Sequence, residues 1–219
     1  CLSIYQMRRF RWQLLIVLIT GLVVGLILIF QRSASSPVVE STPNPITGGS
    51  YTEALIGEIV RLNPALDRFN QPDRDVDRLI FSSLFKFDSR GLPVGDLAAS
   101  WDISSDGTRY TVNLRENAVW HDGTALTSQD VLYTVSLLQS NSNLVAEDLR
   151  NFWQLVHVEA ISDLSLEFSL PYSFAPFLDY LTFQILPSHL LGNLTLDELV
   201  DHPFNLAPIG SGPYRFREF

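Results

Sequence analysis

The stretch that most constrains what this chain can fold into is residues 101–131, WDISSDGTRYTVNLRENAVWHDGTALTSQDV. Trp101–Ile103 can start a strand, and Ser105-Asp106-Gly107 is a turn, because Asp-Gly tolerates the positive φ of a tight hairpin. From Tyr110 the alternation is strict: Tyr110, Val112 and Leu114 point one way, Thr111, Asn113 and Arg115 the other. That period of two predicts a half-buried strand. His121-Asp122-Gly123 is a second turn. Thr127 then stands three residues before Asp130, a capping-box spacing in which each end satisfies a backbone N–H of a new helix. Val131, Leu132, Val135 and Leu138 continue at helical spacing, so a helix is expected over 128–139.

Similar patterns flank this stretch. Residues 73–87 predict a helix with an apolar stripe of Val76, Leu79, Ile80 and Leu84, and Asp73, Asp75 and Asp77 in its first turns, where the helix dipole favours acids. Three alternate acids suggest a calcium loop, but the required Gly and terminal Glu are absent. Residues 140–151 read as a polar loop. Val156, Val158 and Ala160 alternate, Ser162-Asp163 turns, and Leu164, Leu166, Phe168 and Leu170 alternate again, which predicts a second hairpin. Thr195 and Glu198 form another capping box, with a short helix expected to about Asp201.

The N-terminal part is of another kind. From Leu14 to Phe30 there is no charge, and only Thr20, Gly21 and Gly25 interrupt the apolar side chains. Those seventeen residues lie at the short end of what spans a bilayer, between Arg8, Arg9 and Arg11 on one side and Arg32 on the other. The arginine bias keeps the start cytoplasmic and exports the rest. The run is expected to be an uncleaved anchor; the competing reading is a signal peptide cut near Ser33-Ala34-Ser35-Ser36. Residues 32–49 are rich in Ser, Pro, Thr and Gly and predict a flexible linker. Three domains follow: 1–31 basic N-terminus and anchor, 32–49 linker, 50–219 folded part. The chain opens on Cys1 rather than Met, so residues are expected upstream.

Composition narrows the function. Net charge is −9, and setting aside the four arginines around the apolar run leaves 11 basic against 24 acidic residues. An acidic body disfavours nucleic acid as a partner and suits a soluble receptor. The lone Cys1 excludes an internal disulfide or a Cys-based zinc site. His121, His157, His189 and His202 have no partner at metal-ligand spacing. His121-Asp122 resembles a base and its orienter but explains itself as turn chemistry. No nucleophile elbow, phosphate loop or dinucleotide fingerprint occurs, so no catalytic residue, metal or cofactor is expected and the chain does not read as an enzyme. Asn193-Leu194-Thr195 matches a glycosylation sequon, with Thr195 better explained as a cap. Trp101, Trp120, Phe152 and Trp153 are expected in the core rather than on a ligand platform.

Leu97-Ala98-x-Ser100-Trp101, Ser105-Asp106-Gly107-Thr108-x-Tyr110-Thr111, Leu114-Arg115 and Trp120-His121-Asp122-Gly123-Thr124-x-Leu126-Thr127-x-x-Asp130-Val131 together resemble the signature region of the family 5 extracytoplasmic solute-binding proteins, the peptide- and nickel-binding receptors of ABC importers. Leu186-Pro187-Ser188-His189 resembles that family's Pro-Lys-His step with Ser188 in place of the basic residue, and Gly210-Ser211-Gly212-Pro213-Tyr214 its Gly-Thr-Gly-Pro-Tyr motif. The resemblance implies an α/β fold with mixed sheets: an incomplete lobe of the type II periplasmic-binding-protein kind with a small α+β inserted subdomain, preceded by one transmembrane helix. It implies a helix and a strand within 171–186, and that Tyr214–Phe216 joins a sheet begun before Asn63. It also implies an N-terminal fragment, since the second lobe lies beyond Phe219. The implied function is capture of a peptide or similar small polar solute outside the cytoplasm and delivery to ABC permease subunits; a ligand-sensing ectodomain on a retained anchor is the alternative. In the family the loop before Leu62-Asn63-Pro64 lies at the mouth of the cleft, which makes Gly57, Glu58 and Ile59 the candidate substrate-binding residues. Gly57 would allow close backbone approach, though it also reads as a plain turn residue.

Overall fold

The computed structural model describes residues 17–27, 52–192 and 194–219, and these fall into two units, Cys1–Thr52 and Glu53–Phe219. In the first unit residues 17–27 form an apolar helix (α1) with exposed side chains. Among the described residues no helix is long and apolar enough to cross a membrane. The ends of the apolar run, the linker over 32–49 with its Ser33–Ser36 step, Cys1 and Asn193 lie outside the described residues.

In the second unit the two alternating hairpins form one antiparallel sheet. Its strands are β3 (Ala98–Ile103), β4 (Arg109–Leu114), β5 (His157–Ser162) and β6 (Ser165–Ser169), in the order β3-β4-β6-β5. The register places Tyr110 opposite Phe168 and Val112 opposite Leu166. All four are buried, each burial of this kind contributing roughly 1.5–3 kcal/mol. The first turn closes as expected. Gly107 takes φ 68°, and the Asp106 carboxylate accepts the Thr108 N–H at 3.1 Å and the Ser104 and Thr108 hydroxyls. Outside this sheet a short hairpin pairs β1 (Phe85–Phe87) with β2 (Pro93–Gly95).

Helix α3 (Ser128–Leu138) packs on β5 with Val131 and Val135 buried. Its capping residue does more than cap. The Asp130 carboxylate is buried and accepts four hydrogen bonds: Thr127 N–H at 2.8 Å, Trp120 Nε1–H at 3.3 Å, Ser188 N–H at 2.8 Å and Ser188 Oγ–H at 2.7 Å. One turn on, Thr134 Oγ1 accepts the Leu186 N–H at 2.9 Å. The signature loop, α3 and the 186–188 step are thereby one polar knot inside an apolar body.

Several expectations need correction. The helix expected over 73–87 is α2, Gln71–Ile80, started by a proline in its first turn and ended at extended Phe81. Its inward face carries Pro72, Asp73, Asp77 and Ile80, while Leu79 of the expected stripe is exposed. The polar loop at 140–151 contains α4 (Glu147–Trp153), held in place by fully buried Trp153. Within 171–186 there is a four-residue helix, α5 (Phe177–Tyr180), and no strand, only one bridge between Ser83 and Gln184. Two further short helices follow, α6 (Ser188–Leu191) and α7 (Leu196–Leu199), the latter capped by the Thr195–Glu198 box and ending before Asp201. Residues 52–62 and 214–216 are not in strands, because neither finds a partner strand among the described residues. Trp120 and Trp153 are core, whereas Trp101 is partly exposed, its ring edge-on to Phe85 at 4.9 Å.

Asp130→Ala leaves buried donors unpaired, and we expect a loss of roughly 3 kcal/mol or more, measured by urea denaturation. Asp130→Asn fares little better, because its amide hydrogens face donors. A second expectation concerns acid. Hydrogen bonds from the Ser104 and Thr108 hydroxyls hold Asp106 at about 2, and those from His189 and the Thr124 N–H hold Asp122 at about 2. Both folded values lie below the ordinary 3.8, so their stabilisation is present above about pH 4 and lost as pH falls from 4 to 2. Urea midpoints should drop across that interval, and less steeply in Asp122→Asn.

Candidate functional site

Helix α2 separates two concave regions. Its ten residues span about 15 Å. Against its N-terminal end lies the loop Gly57-Glu58-Ile59. Gly57 adopts φ 124°, and a Cβ there would stand 2.6 Å from Pro72 Cγ, so the tight turn against the helix requires glycine. The Asn70 amide donates to the Glu58 carbonyl at 2.9 Å. The Asp73 carboxylate accepts the Val60 N–H at 2.8 Å and the Arg61 N–H at 3.0 Å. The loop is thus stapled to α2 from below while Ile56, Gly57 and Glu58 face outward. Ile59 packs against the core. A cavity of about 190 Å³ beside the loop is walled by Val60, Arg61, Phe69 and Asp73.

Two further carboxyls lie under this staple. Asp67 is nearly buried, and burial pushes it up to about 6 despite the pull of Arg74 and Arg78. Asp77 is fully buried, and burial, reinforced by the charges of Asp67 and Asp73, pushes it up to about 9. Neither Asp77 oxygen has a hydrogen-bond partner; the Asn63 N–H faces the group without reaching bonding geometry.

At the other end of α2 is a groove of about 480 Å³ lined by Arg78, Phe81, Ser82, Lys86, Asp96 and Gln184, among others. Lys86 pairs with Asp96 at 2.9 Å, while Arg78 reaches only Asp75 at 3.8 Å and stays mostly exposed. The Gly57-Glu58-Ile59 loop takes no part in this groove. Its rim is closed by the last segment of the chain. Gly212 N–H bonds Ile80 O at 2.7 Å, and Tyr214 N–H bonds Leu79 O at 3.0 Å. A Cβ on Gly212 would come within 2.6 Å of the Leu79 carbonyl oxygen, so these backbones meet only through glycine.

His121 serves this contact. Its Nε2 lies 2.9 Å from the Gly212 carbonyl, which can only accept, so Nε2 carries the hydrogen and Nδ1 accepts the Gly210 N–H at 3.3 Å. Asp122 does not orient His121; it bonds His189 Nε2 at 2.8 Å. Among the described residues no group of three or more His, Cys, Asp or Glu is placed to hold a metal ion.

Residues 93–219, more than half of the chain, match the family model for bacterial extracellular solute-binding proteins, family 5. The chain belongs to this family. It is 31% identical over 191 residues, 86% of its length, to the oligopeptide-binding protein AppA of Bacillus subtilis. It is 28% identical over 156 residues, 69% of its length, to the glutathione-binding protein GsiB of Pectobacterium atrosepticum. The fold matches AppA in complex with a nonapeptide at TM-score 0.68, with 30% identity over 75% of this chain and 33% of that one. It also matches NikZ of Campylobacter jejuni in complex with Ni(L-His) at TM-score 0.64, with 34% identity over 74% of this chain and 32% of that one. This solute-binding protein chain therefore has the mixed α/β fold of the family, and spans about a third of the length of such relatives, 35% of AppA and 29% of GsiB.

What holds the loop to α2 has no local signal in the sequence. Asp73, Asp77, Ile80 and Leu84 recur at helical spacing, i, i+4, i+7 and i+11. Two acids on that row looked like solvated charges, and only the packing shows that they face inward. We expect Gly57→Ala to destabilise by about 1–2 kcal/mol, and more than Gly91→Ala. Gly91 shares a positive φ of 75° but has nothing within 4 Å of a new Cβ. Urea denaturation of the two variants tests the ranking.

Proposed function

We propose that the chain is the ligand-capturing part of an extracytoplasmic solute receptor. It takes a peptide or similar small polar solute and delivers it, chemically unchanged, to the permease subunits of an ABC importer. The observation that carries this reading is the family match over 93–219 together with 31% identity to an oligopeptide-binding protein. The glutathione-binding relative and the nonapeptide complex support a peptide-like solute.

In this reading residues 50–219 are a first lobe with a small inserted subdomain, the four-stranded sheet with α3. A second lobe closes over the solute, with affinity set by contacts made only in the closed state. The loop Gly57-Glu58-Ile59 presents backbone groups to the solute. Its outward face, its glycine-dependent turn and its staple to Asp73 support that role, since a pre-ordered loop loses little entropy on binding. Residues 1–31 anchor the receptor in the membrane through 14–30, and 32–49 hold it off the surface. The apolar character of α1 supports this, although its eleven described residues rise only about 16 Å of the ~30 Å hydrocarbon core.

Titration of the intact receptor with a panel of short peptides should give saturable binding, read by tryptophan fluorescence and calorimetry. Silence across a broad panel removes the peptide reading; a response confined to a nickel–histidine chelate moves the solute class and leaves the receptor function in place.

A further inference from the structure

Asp67, Asp73 and Asp77 are all at most 7% exposed; Asp73 and Asp77 stand one turn apart on α2, and Asp67 and Asp73 both act on Asp77. They come from two elements: a 3-10 turn, Asp67–Phe69, and α2. Asp73 accepts two backbone N–H groups of the loop, one on each oxygen. Neither oxygen of Asp77 has a donor in full bonding geometry, the Asn63 N–H being the one that faces it. No cation pairs with any of the three among the described residues: Arg74 donates to the Arg68 carbonyl and the Gln71 amide oxygen, and Arg78 faces Asp75. An unpaired charge buried beside another like charge is strongly unfavourable, and a carboxyl in that position keeps its proton instead.

We propose that Asp77 is a proton-dependent latch for the Gly57–Arg61 loop: its neutral form lets Asp73 staple the loop to α2, and its ionisation loosens that staple. The groups facing Asp77 are Asp73 on the same helix, Asp67 on the 3-10 turn and the Asn63 N–H on the segment after the loop. Arg74 and Arg78 act on Asp67. Two of Asp77's three neighbours are acids, so its ionisation adds a negative charge beside the Asp73 staple, and among the described residues no cation pairs with it directly. The buried cluster relieves that repulsion by opening toward water, and the element with least to lose is the exposed loop.

The sign follows from the folded values. Asp77 at about 9 and Asp67 at about 6 both lie above the ordinary 3.8. The folded, stapled state therefore holds protons that an open state releases; it is fully favoured below about pH 4 and weakens progressively as pH rises toward 9. A receptor working outside the cytoplasm would then hold its loop most firmly in acid surroundings. That consequence for binding rests on the solute-receptor reading above; the latch itself does not.

Hydrogen exchange of the intact protein without solute, followed by mass spectrometry from pH 5 to 9.5, separates the two. Protection factors at Val60 and Arg61, referred to the intrinsic rate at each pH, should fall about tenfold or more between pH 6 and 9. In Asp77→Asn they should stay flat while protection in α3 is unchanged. A flat wild-type profile, or an Asp77→Asn profile as steep as the wild type, overturns the latch. Should Asp77→Asn fail to fold, Asp67→Asn decides: a shallower fall supports the proposal, and an unchanged one overturns it. Loss of solute binding with the exchange profile intact would instead count against the receptor reading alone.

Discussion

A single buried carboxylate organises the described fold. Asp130 accepts from the signature loop through Trp120, from its own helix cap through Thr127, and from the start of α6 through Ser188. A charged acceptor in an apolar interior is tolerable only when its lone pairs are filled, and here four donors fill them. Because those donors belong to three separated parts of the chain, one ion cannot be satisfied until all three are in place. The Ser188 hydroxyl and N–H both serve the same Asp130 oxygen.

This hub explains why some elements were legible and others not. The hairpins and α3 announce themselves through periodicity and turn chemistry, which are local: Tyr110, Val112, Leu166 and Phe168 alternate whatever surrounds them. Helix α4 has no such signature. Over Glu147–Trp153 only Leu149, Phe152 and Trp153 are apolar, and the segment is helical because Trp153 is buried among Phe177 and Phe183. Gln139 also bonds the Trp153 and Val156 carbonyls at 2.9 Å from the end of α3. Tertiary packing, not propensity, makes that helix.

The candidate site divides in the same way. Gly57 was readable as a turn residue or a point of close backbone approach, and it turns at φ 124°. The inward orientation of Asp73 and Asp77 was not, since an acid in the first turns of a helix is ordinarily a solvated, dipole-stabilising charge. Nor do residues 52–62 and 214–216 become strands by pattern alone. A strand exists only beside another, and each of these finds a helix end or a carboxylate instead.

The contact between the glycine-rich terminal segment and the end of α2 also bears on how the chain is assembled. Ser82 bonds Ser211 across 129 residues of sequence, so the carbonyls of Leu79 and Ile80 remain wet until the Gly210–Tyr214 segment docks. Closing so long a loop late adds little entropic cost once the intervening body is already compact. Until residues 210–214 reach it, the end of α2 carries an uncovered seam, and that contact is made only after the body between them has collapsed.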